Sequence, residues 1–153
     1  MTSAFDPNSF LDATIEEPSE RRSPLPVGDY VATIEEVTAR TWQGKKDPTK
    51  SGIAWDVQLA VEVPADVQTL LGLTKSTLTL KDSIMLDLTP NNTIDNAPGK
   101  NPRLRNYREA LDMNKPGDVF SARKMLGRLI TVKVAHDLYE GMPIEKISGV
   151  ART

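Results

Sequence analysis

The residues best suited to chemistry lie in one short segment, residues 40–50, the densest basic and aromatic stretch of the chain. It holds one tryptophan, Trp42, and one acid, Asp47, beside four cations: Arg40, Lys45, Lys46 and Lys50. Cations neutralise the phosphates of a nucleic-acid strand, and an exposed ring stacks on its bases at about 1–3 kcal/mol per base. The segment is therefore a candidate site for single-stranded nucleic acid. A solvated hairpin turn, with Trp42 lying back on the rim of the barrel, is the alternative that the composition leaves equally open.

A second, smaller group surrounds the last predicted hairpin and consists of Lys133, His136 and Tyr139. In an OB-fold barrel, this group and residues 40–50 would converge on one rim and form a single binding surface. A third basic set is more typical of a solvated helix face than of a groove: Arg103, Arg105 and Arg108.

Catalytic and metal-binding chemistry finds little support in the composition. The chain has no cysteine and one histidine, His136, so it lacks thiolate nucleophiles, thiolate metal sites and histidine clusters. The adjacent Glu35 and Glu36 would point to opposite faces of a strand or straddle a bulge, and neither arrangement resembles an acid–base pair. The sequence contains no phosphate-binding loop and no nucleophile elbow. We expect a protein that is not an enzyme and that uses no metal and no cofactor.

Charge is distributed unevenly between the N-terminal segment, residues 1–29, and the rest of the chain, which we call the body. Residues 1–29 carry six acids against two arginines, a net charge of −4, whereas the rest carries 17 basic and 15 acidic residues, a net charge of +2. Four prolines within residues 1–26 predict an extended acidic arm ahead of one domain over residues 27–153. Phe10 and Leu11 could dock this arm on a neighbouring subunit, so a homo-oligomer is compatible with the sequence. Neither a membrane span nor a signal peptide is indicated, and we expect a soluble, cytoplasmic protein.

The clearest predicted element is a strand over residues 53–63. Apolar residues occupy every second position there: Ile53, Trp55, Val57, Leu59, Val61 and Val63. Successive side chains of a strand point to opposite faces, so this spacing buries one face and assigns Trp55 to the core. The same parity assigns Tyr30 to the core in the first strand, whose alternation breaks at Glu35 and Glu36 as it does at a β-bulge.

The remaining segments complete a mainly β order. We predict a helix over residues 64–71, a strand over 77–88, a long mobile loop over 89–102, helices over 103–113 and 121–126, and a final hairpin ending with a strand over 142–150. Five strands with a helix between the third and fourth is the order of the OB-fold. The predicted fold is a five-stranded OB-fold-like Greek-key barrel with short helices between strands 2 and 3 and between strands 3 and 4. A Greek-key barrel of another type is the structural alternative.

Several short segments resemble a family of small bacteriophage proteins. They are residues 5–11 (FDPNSFL), 26–30 (PVGDY), 106–111 (NYREAL) with Asn114, 125–128 (MLGR) and 145–150. The similarity spans most of the chain and consists mainly of turn and core residues. Members of that family are found with phage replication and recombination genes and are regarded as OB-fold single-stranded DNA-binding proteins. The resemblance implies DNA and phage replication or recombination proteins as partners, with the host cytoplasm as the location, and it assigns no site residue.

We therefore expect single-stranded DNA binding with little sequence preference, in phage replication or recombination. Backbone capture and base stacking serve RNA as well as DNA. The alternative is a protein-interaction or virion-associated module on the same barrel that binds no nucleic acid, which the modest charge of the body favours. The candidate contacts are Arg40, Trp42, Lys45, Lys46, Lys50, Lys133, His136 and Tyr139.

Overall fold

The computed structural model describes residues 6–153, so residues 1–5 of the predicted arm lie outside the described residues. The elements of that part of the chain are β1 Gly28–Gln43, β2 Ser51–Glu62, α1 Ala65–Leu71, β3 Thr77–Met85, α2 Pro102–Ala110, β4 Leu129–Tyr139 and β5 Met142–Ala151. Two 3-10 turns, Pro7–Leu11 and Ala122–Met125, accompany them. The protein is mainly β, as the sequence predicts. No helix of the described residues has the length and apolar character needed to cross a membrane.

The strands form one antiparallel sheet in the order β3-β2-β1-β4-β5. β1 lies at its centre, where residues 28–33 pair with β4 and residues 32–43 pair with β2. β3 and β5 are the two edges, and within the described structure they do not pair with each other. The architecture is therefore an open five-stranded sheet, and the closure that the predicted barrel requires is not seen.

The alternation predicted over residues 53–63 is confirmed by burial. One face of β2, which we call the core face, carries three fully buried residues: Val57, Leu59 and Val61. Ile53 and Trp55 lie on the same face but are only half-buried, at the edge of the hydrophobic core. The core therefore ends part of the way along β2.

The predicted bulge in β1 is also confirmed. The register of β1 against β2 shifts between Ile34 and Glu36, and beyond the shift Val37 pairs with Val57. Tyr30 and Ile34 are buried before the bulge, and Val37 packs on the core after it. Because the bulge adds one residue, β1 keeps the same face toward the core along both halves.

The helix predicted over residues 64–71 is confirmed as α1. Gly72 ends it in the left-handed conformation, with φ of 67°, and its N–H bonds back to the last turn of the helix. Val67 and Leu71 pack on the core, whereas Leu70, which the pattern assigns to the buried side, is exposed.

The later elements are shorter than their sequence patterns suggest. The helix predicted over residues 103–113 is α2, which ends at Ala110, and the one predicted over 121–126 is only the 3-10 turn Ala122–Met125. The strand predicted over 77–88 stops at Met85, and Leu88 forms an isolated bridge with Ile94. The final hairpin is confirmed as β4 and β5.

α2 spans the gap between the two edge strands. Arg103 donates to both carboxylate oxygens of Asp82 on β3, at 2.6 and 3.2 Å, and to the carbonyl oxygen of Ile147 on β5, at 2.8 Å. The Tyr107 hydroxyl donates to Asp82 at 2.6 Å. Burial raises the pKa of Tyr107, and the charge of Asp82 raises it further, so the hydroxyl keeps its proton. The prediction that Arg103 belongs to a solvated helix face is wrong, since its guanidinium bonds to both edge strands of the sheet.

The long loop after β3 is tied together at its base by Asn101, a buried residue with a left-handed backbone. Its side chain accepts from the Asp87 N–H at 2.7 Å and donates to the carbonyl oxygens of Asp87 and Asp95 at 3.0 and 2.8 Å. The Asn101 N–H donates to the Asp87 carboxylate at 2.8 Å. The end of the predicted long loop is therefore fastened to its start through Asn101 and Asp87.

Candidate nucleic-acid interface

The β1–β2 hairpin ends in an exposed basic turn. The Gly44 N–H donates to the Lys50 carbonyl at 2.8 Å and the Lys50 N–H to the Asp47 carbonyl at 3.1 Å. Lys45, Lys46 and Lys50 are exposed, and none of them forms an ion pair with another described residue. Three of the predicted contacts are thus available to phosphate.

Trp42 is not an open stacking platform. It pairs with Gly52 across the hairpin, and a Cβ atom on Gly52 would lie only 2.8 Å from Trp42 Nε1. The indole therefore packs directly on the Gly52 backbone, which only glycine permits. Nε1 is buried and finds no acceptor among the described residues. Trp42 lies back against the hairpin, as the alternative interpretation of this segment predicts, and it does so on the face opposite the core face.

Arg40 lies on the same outer face as Trp42, where an acid engages its charge. Its Nε donates to Asp56 Oδ2 at 2.8 Å, and Ser83 donates to the other carboxylate oxygen at 2.7 Å. The hydrogen bond from Ser83, helped by Arg40, lowers the pKa of Asp56. Arg40 is thus less available to phosphate than the three lysines of the turn.

The second predicted group, Lys133, His136 and Tyr139, lies beside the N-terminal arm, which two of the three contact. Leu25 is fully buried, and its backbone is held on both sides by a cross-strand pair of the β4–β5 hairpin. His136 Nε2 lies 2.6 Å from the Leu25 carbonyl oxygen, and the Leu25 N–H donates to Glu145 at 3.0 Å. His136 therefore joins the arm to the sheet.

Tyr139 is also in contact with the arm. The Arg21 guanidinium lies 4.8 Å from the centre of its ring, and Arg22 pairs with Glu145 on the neighbouring strand. Lys133 is exposed on the outer face of β4, opposite Asp29 of β1. Among the described hydrogen bonds, ion pairs and ring contacts, Lys133 is the one member of this group without a contact to the arm.

The two predicted groups lie near opposite ends of β1. Gly28, the first residue of that strand, pairs with Val134, and the β4–β5 hairpin extends past this point. Gln43, its last residue, pairs with Ser51 at the other hairpin. This pairing does not support the expectation that both groups share one rim, because it sets them near opposite ends of β1.

The most suitable ring for stacking is Trp55, which we assigned to the core. It is half-buried on the core face and lies between two cavities. The larger, of about 610 Å³, is lined by Thr41, Ser51, Gly52, Ile53, Trp55, Leu86, Leu88, Asn92 and Ile94. The smaller, of about 240 Å³, is lined by Val37, Thr38, Ala39, Trp55, Ala122, Arg123 and Leu126. We call these two cavities, with the indole between them, the Trp55 groove.

Cations lie at both ends of the Trp55 groove. Arg123 lines the smaller cavity, and Lys124 follows it in the same 3-10 turn. Thr41 and Ser51 line the larger cavity on the two strands that flank the basic turn carrying Lys45 and Lys46. A strand stacked on the ring would have positive charge on either side.

The parity of Trp55 and its packing on the core are as predicted, and the two cavities beside its ring are what the prediction lacked. Its partner across β1 is Ala39, and Thr41 faces Ile53 one pair further along. These small side chains are too short to cover an indole. The sequence does indicate that β1 leaves the Trp55 ring uncovered. The indication depends on recognising the bulge, because only the shift at the bulge puts Ala39 and Thr41 on the core face.

No cluster of three His, Asp or Glu side chains suited to a metal ion occurs among the described residues. The comparisons with known proteins found no match to this chain, either among protein-family models or among curated proteins.

Proposed function

We propose that the protein binds single-stranded DNA with little sequence preference, and that the bases stack on Trp55. The observation that carries this proposal is the half-buried indole between two cavities on the core face. A ring exposed in a groove offers a stacking surface to any base, which gives affinity without sequence readout. The exposed turn with Lys45, Lys46 and Lys50 supplies charge for the phosphates.

The strand order supports an OB-fold-like Greek-key barrel. β1 pairs with both β2 and β4, and α2 lies between β3 and β4 in the chain, as in the partly open barrel of that fold. The sheet differs from that barrel in the gap between β3 and β5, which α2 bridges through Arg103. We propose a barrel opened at this point. A role in phage replication or recombination rests on the family resemblance of the sequence.

The test is a fluorescence-anisotropy titration of a labelled dT oligonucleotide at low and moderate salt. The wild-type protein should bind at low salt and more weakly at moderate salt, because binding releases counterions from the phosphates. Trp55→Leu should weaken binding by about 5- to 150-fold, the equivalent of one lost stack of about 1–3 kcal/mol. Trp42→Phe, on the outer face, is the matched control and should bind like the wild type. Urea unfolding of both variants verifies that each remains folded.

A protein-interaction module is the second candidate, and the lining of the larger cavity favours it. Leu86, Leu88 and Ile94 make one wall apolar, which suits an apolar side chain of a protein partner as well as a base. Absence of oligonucleotide binding at low salt would overturn the DNA-binding proposal and leave this alternative. An equal effect of the two tryptophan variants would remove the Trp55 groove from the site.

A further inference from the structure

A separate cationic cavity lies beside the start of α2. Its volume is about 200 Å³, room for about seven water molecules at about 30 Å³ each. It is lined by the loop residues Asn96, Ala97, Pro98, Gly99, Lys100 and Asn101, by Arg105 and Arg108 of α2, and by Asn114. We call it the Lys100 pocket. Three cations and three side-chain amides thus surround one small polar space.

The positive charge of the pocket is only weakly neutralised. Lys100 has no ion pair with another described residue, and Arg105 lies 3.9 Å from Glu109, with both side chains about half exposed. Asp87 and Asp95, the acids of the neighbouring loop, do not line the pocket, and they accept backbone hydrogen bonds from Asn101 at 2.8 Å and from Ala97 at 3.0 Å. The lining of the pocket therefore carries three cations and no acid.

Arg108 is held in position from outside the pocket. Its Nε donates to the Met113 carbonyl at 3.1 Å, and its guanidinium carbon lies over the Phe120 ring, 5.0 Å from the ring centre. These contacts hold the group from two sides, and no described residue bonds to its two terminal nitrogens. A guanidinium fixed in this way can donate to an oxyanion with little loss of side-chain entropy.

The loop wall is fixed as well. Asn101 is buried, and its four hydrogen bonds hold the last residues of the loop against Asp87 and Asp95. Lys100 directly precedes this anchor. The pocket is consequently formed before any ligand arrives, a property that favours affinity.

We propose that the Lys100 pocket binds a phosphate group. A tetrahedral phosphate offers several oxygen acceptors to converging cations and amide donors, and the pocket is too small for a base together with its sugar. The group could be a backbone phosphate of a strand or a free or terminal phosphate. The first source rests on the proposed function: Asn92 and Ile94 of the same loop line the Trp55 groove, so a strand there would pass close to the pocket.

The first experiment titrates the full chain with inorganic phosphate by isothermal calorimetry at low ionic strength. The wild type should bind saturably at one site. Lys100→Gln combined with Arg105→Gln should weaken binding about tenfold or more, because two charge-assisted donors are lost. Arg108 is left intact, since it also supports the fold.

The charge-matched control combines Lys75→Gln with Lys146→Gln, two exposed lysines without ion pairs among the described residues, and should bind like the wild type. Absence of saturable binding, or an equal loss in control and variant, would overturn the proposal.

The second experiment separates the sources of the phosphate with dT oligonucleotides carrying a 5′-hydroxyl or a 5′-phosphate. A backbone phosphate predicts that the pocket variant binds both oligonucleotides more weakly than the control variant does. A terminal phosphate predicts a loss for the 5′-phosphorylated strand alone, and a free phosphate predicts no loss for either. Phosphate binding without oligonucleotide binding would overturn the proposed function and leave the pocket in place, whereas oligonucleotide binding without phosphate binding would overturn the pocket alone.

Discussion

Arg103 and Asp82 connect a helix to the edge of the sheet, with Nη2 of the arginine 2.6 Å from Oδ1 of the aspartate. The same Nη2 donates to the Ile147 carbonyl oxygen on the opposite edge strand. One guanidinium thus links β3 to β5, the two strands that would have to pair for the sheet to close. The open edge of the sheet is held by side chains of α2 instead of by a backbone ladder.

Replacing Arg103 should therefore destabilise the whole fold. Arg103→Met keeps the aliphatic stem but leaves Asp82 without its cation, so the free energy of unfolding should fall by about 1.5–3 kcal/mol, the range for hydrogen bonds to charged groups. The side chain of Arg103 is about one-third exposed, and for that reason we do not expect the larger cost of breaking a fully buried pair. Urea unfolding measures the change. Arg105→Met, on the solvated side of α2, should stay within about 0.5 kcal/mol of the wild type, and an equal loss in both variants would contradict the linking role.

Tyr107 should make the free energy of unfolding decrease at alkaline pH. The pKa of Tyr107 is raised in the folded protein, while the unfolded chain ionises near its ordinary value of about 10. The folded state therefore keeps a proton that the unfolded state loses, so this contribution is complete below pH of about 10 and declines as pH rises above it. Tyr107→Phe should show a shallower decline than the wild type in urea unfolding between neutral and alkaline pH. Parallel curves for the two proteins would contradict this assignment.

Leu25 should contribute to the stability of the core although it belongs to the predicted arm. Leu25→Ala removes a fully buried side chain and should cost about 2–5 kcal/mol in the free energy of unfolding. Val27→Ala, two residues further along and exposed, should change it by less than about 0.5 kcal/mol. A cost for Leu25→Ala no larger than that of the control would mean that the arm does not pack on the sheet in solution.

The basic turn should control the salt dependence of DNA binding if the proposed function holds. Lys45→Gln combined with Lys46→Gln should reduce the slope of log K against log salt by about 0.7 for each phosphate contact that is lost. The control is the Lys75→Gln and Lys146→Gln pair, which should leave the slope unchanged. Anisotropy titrations at several salt concentrations measure both slopes, and an unchanged slope in the turn variant would remove this turn from the interface.

Local patterns in the sequence predict most of the secondary structure. The alternation over residues 53–63, the bulge at Glu35 and Glu36 and the stop at Gly72 all depend on the conformation of a few neighbouring residues. A strand has a side-chain period of two wherever it lies, so these features can be read without knowing what packs against them. The mainly β class follows from the same patterns.

The candidate site was predicted less well than the fold. The three lysines of the turn are exposed as expected, but Trp42 packs on Gly52, and His136 contacts Leu25, which is 111 positions away in the chain. Trp55 was assigned to the correct face and does pack on the core, but it lies at the edge of the core, where it lines two cavities. Sequence parity states which way a side chain points, and it does not state where the core ends.

What the sequence determined by itself is therefore the set of strands, the face that each turns inward and the exposed lysine-rich turn. Only the tertiary structure decided that the sheet stays open, that Arg103 links its edges and that Trp55 lies in a groove. The physical reason is the distance along the chain over which each feature is set. Periodicity, turns and helix ends arise from adjacent residues, whereas closure and side-chain exposure depend on contacts between segments far apart in sequence, as between Asp82 and Ile147 through Arg103.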